Sequence, residues 1–436
     1  MPQKHSRPTS KHTKKSLPNR PSTKPHTESS PPPQAPPSPP LILPREIQQS
    51  IRDIYSTTFF PPPKTPTLTA LPESTPTHGS SPTTSADSAS IAPPLPSLDE
   101  TKTTIQQVKT HLYNRDFERA FGADDFRRAY AARWSPGRAA GYAAIFGEVD
   151  LFGLRGAGLG LGGCGELGIG NGEGDGDDGQ RGHVGGETGG ETSGEEGVKV
   201  VCVGGGGGAE LVGLSSYFHQ HGSNGVNAGK GKENEGGKKQ RVVDITLLDI
   251  ADWSSITAAL TSALTFAGQS FLPSLRTRFE KQDIFTLSYE EIERLFTGVQ
   301  LVTVGFTLNE LYTTSLSRTT AFLLSLTNVL EPGAGLLVVD GAGSYASINL
   351  GKGERVGEGR KEKRYPMGWL VDRTLLVSAA SGEGGGEGDG EKGRGKKARW
   401  EKELCWDSRW FRLAEGLRYP LPLEDMRMQM LLYRRV

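Results

Sequence analysis

The sequence predicts an α/β fold built on a parallel sheet, and three observations carry that prediction. A β-branched run, Val198-Lys199-Val200-Val201-Cys202-Val203, flows into five glycines at 204–208 and then into a helical pattern from Ala209. From there strand-like and helix-like stretches alternate in five units, the pattern of right-handed βαβ crossovers. The second, third and fifth strand-like runs are closed by aspartates, Asp249, Asp283 and Asp340, at the strand ends where such sheets bind ligands.

Each element has its own reason. Strand one covers 198–203 and its helix 209–219. Strand two runs over 242–248 and is followed by a helix at 253–266. Strand three is 277–282 and the next helix 289–296. Strand four is 300–306, followed by Asn309-Glu310-Leu311-Tyr312 and a helix at 318–330 that stops at Pro332-Gly333. Strand five is 336–339. Segments 404–413 and 426–436 flank a proline-rich turn, Tyr419-Pro420-Leu421-Pro422, and predict an antiparallel pair at the sheet edge.

Ahead of the sheet the periodicity is helical. Ile47, Ile51, Ile54 and Tyr55 share one face over 45–60. Between 98 and 152, Ile105, Val108, Leu112 and Tyr113 form one stripe, and Phe117, Phe121, Phe126 and Tyr130 another. Arg133-Trp134-Ser135-Pro136-Gly137-Arg138 predicts a break, with Ser135 as N-cap and Pro136 at the first position of a new helix over 137–146. This helical region, 46–152, is expected beside the ligand cleft.

Composition limits how much of the chain folds. With 58 Gly, 29 Pro and 34% hydrophobic residues in 436, long stretches cannot bury a core. Disorder is expected for the tail 1–45, the linker 61–98, and the insertions 153–197, 222–241 and 381–399, which leaves 198–436 as the sheet domain. Acidic and basic residues balance at 50 each, so net charge selects no partner. Residues 1–25 carry seven Lys/Arg and no acid, and Lys11-His12-Thr13-Lys14-Lys15 suits either nuclear import or contact with nucleic-acid phosphates. Cys164, Cys202 and Cys405 make no disulfide framework and no metal site, and no metal is expected. No apolar run approaches the ~20 residues of a membrane span.

The candidate site follows from the sheet. Gly204, Gly205, Gly206 and Gly208 allow a sharp turn and close backbone approach to a nucleotide-type cofactor, with Glu210 opening the helix behind them. Asp249, with Ile250 beside it, is placed to accept ribose hydroxyls. Its distance from the glycines exceeds the usual ~20 residues, and the 222–241 insertion accounts for the excess. Asp283 could bond an adenine amino group or cap its own turn. Asn309 and Glu310 after strand four could bind substrate or the amino-acid end of the cofactor. Asp340, Ser344 and Tyr345, and the aromatic block Tyr365-Pro366-Met367-Gly368-Trp369, are further candidates. A dehydrogenase would need a substrate domain and an acid–base His or Tyr. Only His111 and His219 fall in expected helices, which counts against that chemistry. A terminal antiparallel pair on a five-unit sheet is typical of methyltransferases that use S-adenosylmethionine.

Six blocks carry a resemblance: Arg133-Trp134-Ser135-Pro136, Val201-Cys202-Val203-Gly204-Gly205-Gly206, Leu247-Leu248-Asp249-Ile250-Ala251-Asp252-Trp253, Phe306-Thr307-Leu308-Asn309-Glu310-Leu311-Tyr312, Tyr365-Pro366-Met367 and Asp407-Ser408-Arg409-Trp410-Phe411. Through them the chain resembles the fungal S-adenosylmethionine-dependent methyltransferases that modify large-subunit (25S) ribosomal RNA at uridine N3. The resemblance implies a Rossmann-like class I methyltransferase sheet, S-adenosyl-L-methionine as cofactor, and ribosomal RNA or a pre-ribosomal particle as partner. It also implies action in the nucleus or nucleolus, with the cytoplasm as alternative. Glu310 is the candidate base for the N3 proton, and Arg133, Arg138 and Arg318 are candidates for holding RNA. Two other readings stay open: a non-catalytic ribosome-assembly factor that keeps the fold, and a protein methyltransferase.

Overall fold

A computed structural model describes residues 39–61, 95–152, 197–222, 242–266, 275–348, 363–378 and 399–436. The basic run at 11–15, Cys164, and nearly all of the expected tail, linker and insertions lie outside the described residues. Helix α1 is Arg45–Phe59, α2 Leu98–Tyr113, α3 Phe117–Gly122 and α4 Asp124–Val149. The sheet then begins with β1, Gly197–Val203, a 3₁₀ turn at Gly205–Gly207, and α5, Ala209–Gly222. It continues through β2 (Val242–Asp249), α6 (Ser254–Phe266), β3 (Leu275–Lys281), α7 (Tyr289–Phe296) and β4 (Leu301–Gly305). Next come α8 (Leu308–Thr314), α9 (Leu316–Val329), β5 (Gly335–Gly341), the small hairpin β6 (Tyr345–Ile348) with β7 (Lys363–Pro366), and α10 (Met367–Asp372). Strands β8 (Trp400–Phe411) and β9 (Met426–Arg435) close the chain order.

The seven strands of the main sheet lie in the order β3-β2-β1-β4-β5-β9-β8. β1 to β5 are parallel, β9 runs antiparallel to β5, and β8 antiparallel to β9. Alternation along β1 sends Val200 and Cys202 to one core and Val201 and Val203 to the other, as a period of two requires. The first core holds α4, α5 and α6 with Tyr55 of α1, and the second holds α7, α9 and α10. Covering both faces explains the near-continuous apolar strands. The strand order reverses between β1 and β4, so the ligand crevice is set at their carboxyl ends. Among the described residues, no helix is long and apolar enough to cross a membrane, and no His/Cys/Asp/Glu group could hold a metal ion.

The structure corrects two expectations. There is no helix break at Ser135-Pro136: α4 runs through it from Asp124 to Val149. A proline inside a helix strips the carbonyl four residues back of its donor. Here that carbonyl, on Ala132, accepts instead from the Tyr419 hydroxyl at 2.7 Å. Ser135 caps nothing; its hydroxyl donates to the carbonyl of Gly207 at 2.7 Å. The expected tail also ends early. Leu41 is 2% exposed, its amide donates to the Trp410 carbonyl at 2.7 Å, and Leu43 is buried beside it. Arg409 Nε donates to the Pro39 carbonyl at 2.9 Å, and with the two buried leucines this seats the segment on the end of β8.

Candidate functional site

The site starts from the turn between β1 and α5. Gly204 and Gly208 both adopt φ 75°, a conformation that glycine enters freely. A Cβ at Gly204 would also lie 2.0 Å from Thr307 Oγ1. Gly208 is thus required, although the glycine run looks longer in sequence than the turn needs. The N-terminal helices brace the turn: Ser135 holds the Gly207 carbonyl, and the Tyr55 hydroxyl donates to that of Gly208 at 3.1 Å. Asp249, at the end of β2, accepts from Gly206 N at 3.2 Å and from Ala251 N at 3.0 Å. Burial raises its carboxyl above the ordinary range, against those same amide bonds.

A cavity of 340 Å³ opens at this switch point, floored by the turn and the ends of β1, β2 and β4, with α4 as its roof. Glu210, 3% exposed, stands in it. Burial pushes the Glu210 carboxyl up to about 7, with Arg138 offsetting part of the rise and Asp249 adding to it. Gly305 makes room for this group, since a Cβ there would lie 2.4 Å from Glu210 Oε1 and 2.0 Å from the Tyr142 hydroxyl. Arg138 crosses the cavity from α4. Its guanidinium lies 4.3 Å from the Phe306 ring centroid and donates to the Tyr130 hydroxyl. Phe306 itself has φ 54°, a left-handed conformation that a bulky side chain rarely adopts. Its amide donates to the Val339 carbonyl at 2.7 Å, which holds it there.

Glu310 sits in the first turn of α8. Burial pushes its carboxyl up to about 7; Arg138 and Arg115 act against the rise, while Asp340 and Asp249 add to it. Asp340 anchors the start of α8 by accepting from Asn309 N at 3.3 Å, and it also accepts from Gly341 N and the Ser344 hydroxyl. A second cavity, of 410 Å³, adjoins the first, and Tyr130, Arg138, Phe306 and Glu310 lie on the walls of both.

The structure gathers Gly204, Glu210, Asp249, Ile250, Asp283 and Glu310 around the first cavity. Gly205, Gly206 and Gly208 shape the turn without lining that cavity, where Gly207 stands instead. Asn309 lines the second cavity and not the first. Asp283 lines the first cavity and also caps its own turn, accepting from Phe285 N at 2.9 Å. Asp340, Ser344 and Tyr345 lie outside both cavities, as does Tyr365, which stacks on Trp369 at 5.3 Å. Of the arginines, Arg133 is buried and paired with Glu424, Arg138 is internal to the site, and Arg318 stands exposed at the edge of the first cavity. Sequence reasoning missed the aromatic roof. Tyr130 packs 5.0 Å from Phe121, 5.0 Å from Trp134 and 5.8 Å from Trp253. The stripe from Phe117 to Tyr130 was the available signal, and it reads equally well as helix core.

Comparison with known proteins places the chain in a family. A family model described as a putative SAM-dependent methyltransferase matches residues 90–434. The 25S rRNA (uridine(2843)-N(3))-methyltransferase of Saccharomyces cerevisiae is 32% identical over 336 residues, covering 76% of this chain and 76% of that protein. Among solved structures, an O-methyltransferase family protein from Burkholderia thailandensis is similar with a TM-score of 0.35 at 10% identity, covering 78% of this chain and 71% of its own. A SAM-dependent methyltransferase from Methanosarcina mazei gives 0.31 at 11% identity, covering 55% and 93%. The sheet order, the turn and the match along most of the sequence converge: the chain belongs to the S-adenosylmethionine-dependent methyltransferase family in which the yeast rRNA uridine-N3 enzyme also stands.

Proposed function

We propose that this protein methylates N3 of a uridine in large-subunit ribosomal RNA, with S-adenosylmethionine in the cavity beside the glycine turn. The observation that carries the reading is the position of Glu310, a carboxylate with its pKa near 7 on the wall between two adjoining cavities. The residues of the first cavity fit the cofactor. Its volume is in the range of small-molecule sites. Asp249 offers carboxylate oxygens to ribose hydroxyls, Asp283 can accept from an adenine amino group, and Arg138 offers a guanidinium to a carboxylate. When bound, the cofactor supplies a methyl sulfonium that is already a strong electrophile.

This chain's own residues then have three tasks. The glycine turn, Asp249 and Arg138 orient the donor, and much of a transfer barrier is overcome by such alignment. The aromatic roof of Phe121, Tyr130 and Trp253 gives the first cavity an apolar wall. Glu310 accepts the N3 proton, and a carboxylate near 7 is half-ionised at neutral pH, where a general base works best. The target uridine must be unpaired to present N3. On this reading the substrate is rRNA or a pre-ribosomal particle, met in the nucleus or nucleolus.

Mass mapping of rRNA nucleosides from cells lacking this chain tests the proposal. The expected result is loss of one N3-methyluridine, restored by the wild-type chain. An unchanged set of N3-methyluridines overturns it.

A further inference from the structure

We infer that the second cavity is the nucleotide subsite: it takes one uridine turned out of its RNA stack, with Lys109 and Arg115 on the neighbouring phosphates. The inference rests on the reaction proposed at Glu310 and assigns the residues that bring the base there.

Position is the first argument. Because Glu310, Arg138, Tyr130 and Phe306 belong to both walls, a ring in the second cavity meets the contents of the first across Glu310. Chemistry is the second. Phe117 and Phe121 also line both cavities, and the far side of the second adds Trp134 to the aromatic faces, and Lys109 and Arg115, both exposed, to the rim. Flat aromatic faces with cations at the rim match an unstacked base and its phosphates. Asn309 adds a third. Its Oδ1 is buried and has no hydrogen-bond partner among the described residues, and it lines this cavity. An unpaired buried amide oxygen is disfavoured. Turned either way about its last bond, the amide offers a partner to a uracil edge.

Arg115 supplies the fourth. Helix α2 ends in a Schellman motif: Asp116 N donates to the His111 carbonyl at 2.9 Å and Arg115 N to that of Leu112 at 3.1 Å. The central position of that motif is usually glycine, and Arg115 occupies it at φ 55°. Its guanidinium reaches across to Thr313 Oγ1 of α8 at 3.3 Å. A strained backbone position that carries a long cation over a cavity rim points to use of that side chain.

Arg115→Gly tests this, because it removes the cation and relieves the backbone. We expect a thermal midpoint equal to or above wild type and unchanged S-adenosylmethionine affinity by calorimetry. KM for an rRNA fragment containing the target uridine should rise about 10-fold, the order expected when one charge-assisted hydrogen bond is removed. The slope of log Kd against log salt for that fragment, read by fluorescence anisotropy, should become shallower by roughly 0.7 for each phosphate no longer neutralised. Lys109→Ala should behave alike, and Arg115→Lys should restore the slope. Wild-type KM and wild-type salt slope in both Arg115→Gly and Lys109→Ala would overturn the subsite. Absence of N3-methyluridine after turnover by the wild type would overturn the reaction at Glu310 instead. The salt slope needs no turnover and still judges the subsite in that case.

Discussion

Glu310 is governed by neighbours of both signs, and its proton sets the chemistry. A base acts when ionised, so methyl transfer should rise as pH passes through about 7 and level off above it. Glu310→Gln keeps the size and removes the basicity. Single-turnover assays on an rRNA fragment should show transfer slowed by roughly 10²–10⁴ with cofactor affinity unchanged. The mutant rate should keep climbing with pH as hydroxide takes over. Normal turnover per folded molecule would leave Glu310 as a helix-start residue only. Asp249 has a different task, holding Gly206 N and Ala251 N while facing the cavity. Asp249→Ala should weaken S-adenosylmethionine binding by about 1–3 kcal/mol in calorimetry, the scale of charge-assisted hydrogen bonds. Equal affinities would remove Asp249 from the cofactor's contacts.

At the scale of elements, α4 shows what a sequence conceals. Ser-Pro after an aromatic stripe has the composition of a helix start, and local propensity cannot distinguish that from a proline tolerated in mid-helix. The group that makes it tolerable, the Tyr419 hydroxyl, lies 287 positions from Ala132. Tyr419→Phe should therefore lower stability by about 1–3 kcal/mol, since it strands the Ala132 carbonyl. In a Pro136→Ala background the loss should shrink, because residue 136 then has an N–H for that carbonyl. Denaturant midpoints over the four proteins measure the coupling, and simple additivity would contradict the account. The strands were legible for the opposite reason. Val198–Val203 and the runs ending at Asp249 and Asp340 are fixed by apolar runs buried on both faces, a local signal. The glycine turn and Asp249 were readable from that order alone. The second cavity was not, because residues of α2, α3, α4 and α8 come together to line it only in the folded chain, and no spacing in the sequence encodes that meeting. Asn309 and Glu310, adjacent in sequence, both line the second cavity, and only Glu310 also reaches the first.

Over the whole molecule, the buried carboxylates make stability depend on pH in an unusual direction. Glu210 and Glu310 are both raised from 4.5 to about 7, and Asp249 and Asp340 are raised as well. Between those limits the folded state holds more protons than the unfolded one. Their contribution is therefore complete below the ordinary carboxyl range and is lost as pH rises through about 7. The cofactor-free protein should melt at a higher temperature at pH 5 than at pH 8. The double variant Glu210→Gln/Glu310→Gln should flatten that slope in scanning calorimetry. A wild-type midpoint that climbs from pH 5 to pH 8 would contradict the assignment.

The position of β9 constrains how the chain can be made. It follows every other strand in chain order yet lies inside the sheet, between β5 and β8. The segment around Leu41 and α1 likewise leans on residues near the other end of the described chain. Leu41 is held by Trp410, while Gln48 accepts from Ala414 N and Gln49 from Arg418 N. Contacts so distant in sequence form late and slowly. On a translating ribosome, the nascent chain displays the glycine turn, Asp249 and Glu310 long before the segments that seat α1 have emerged. Tyr55 cannot brace Gly208 until then, and the edge of β5 stays open to unwanted pairing. An interrupted chain that stops short of residue 426 should thus carry each residue assigned to the chemistry and still bind nothing.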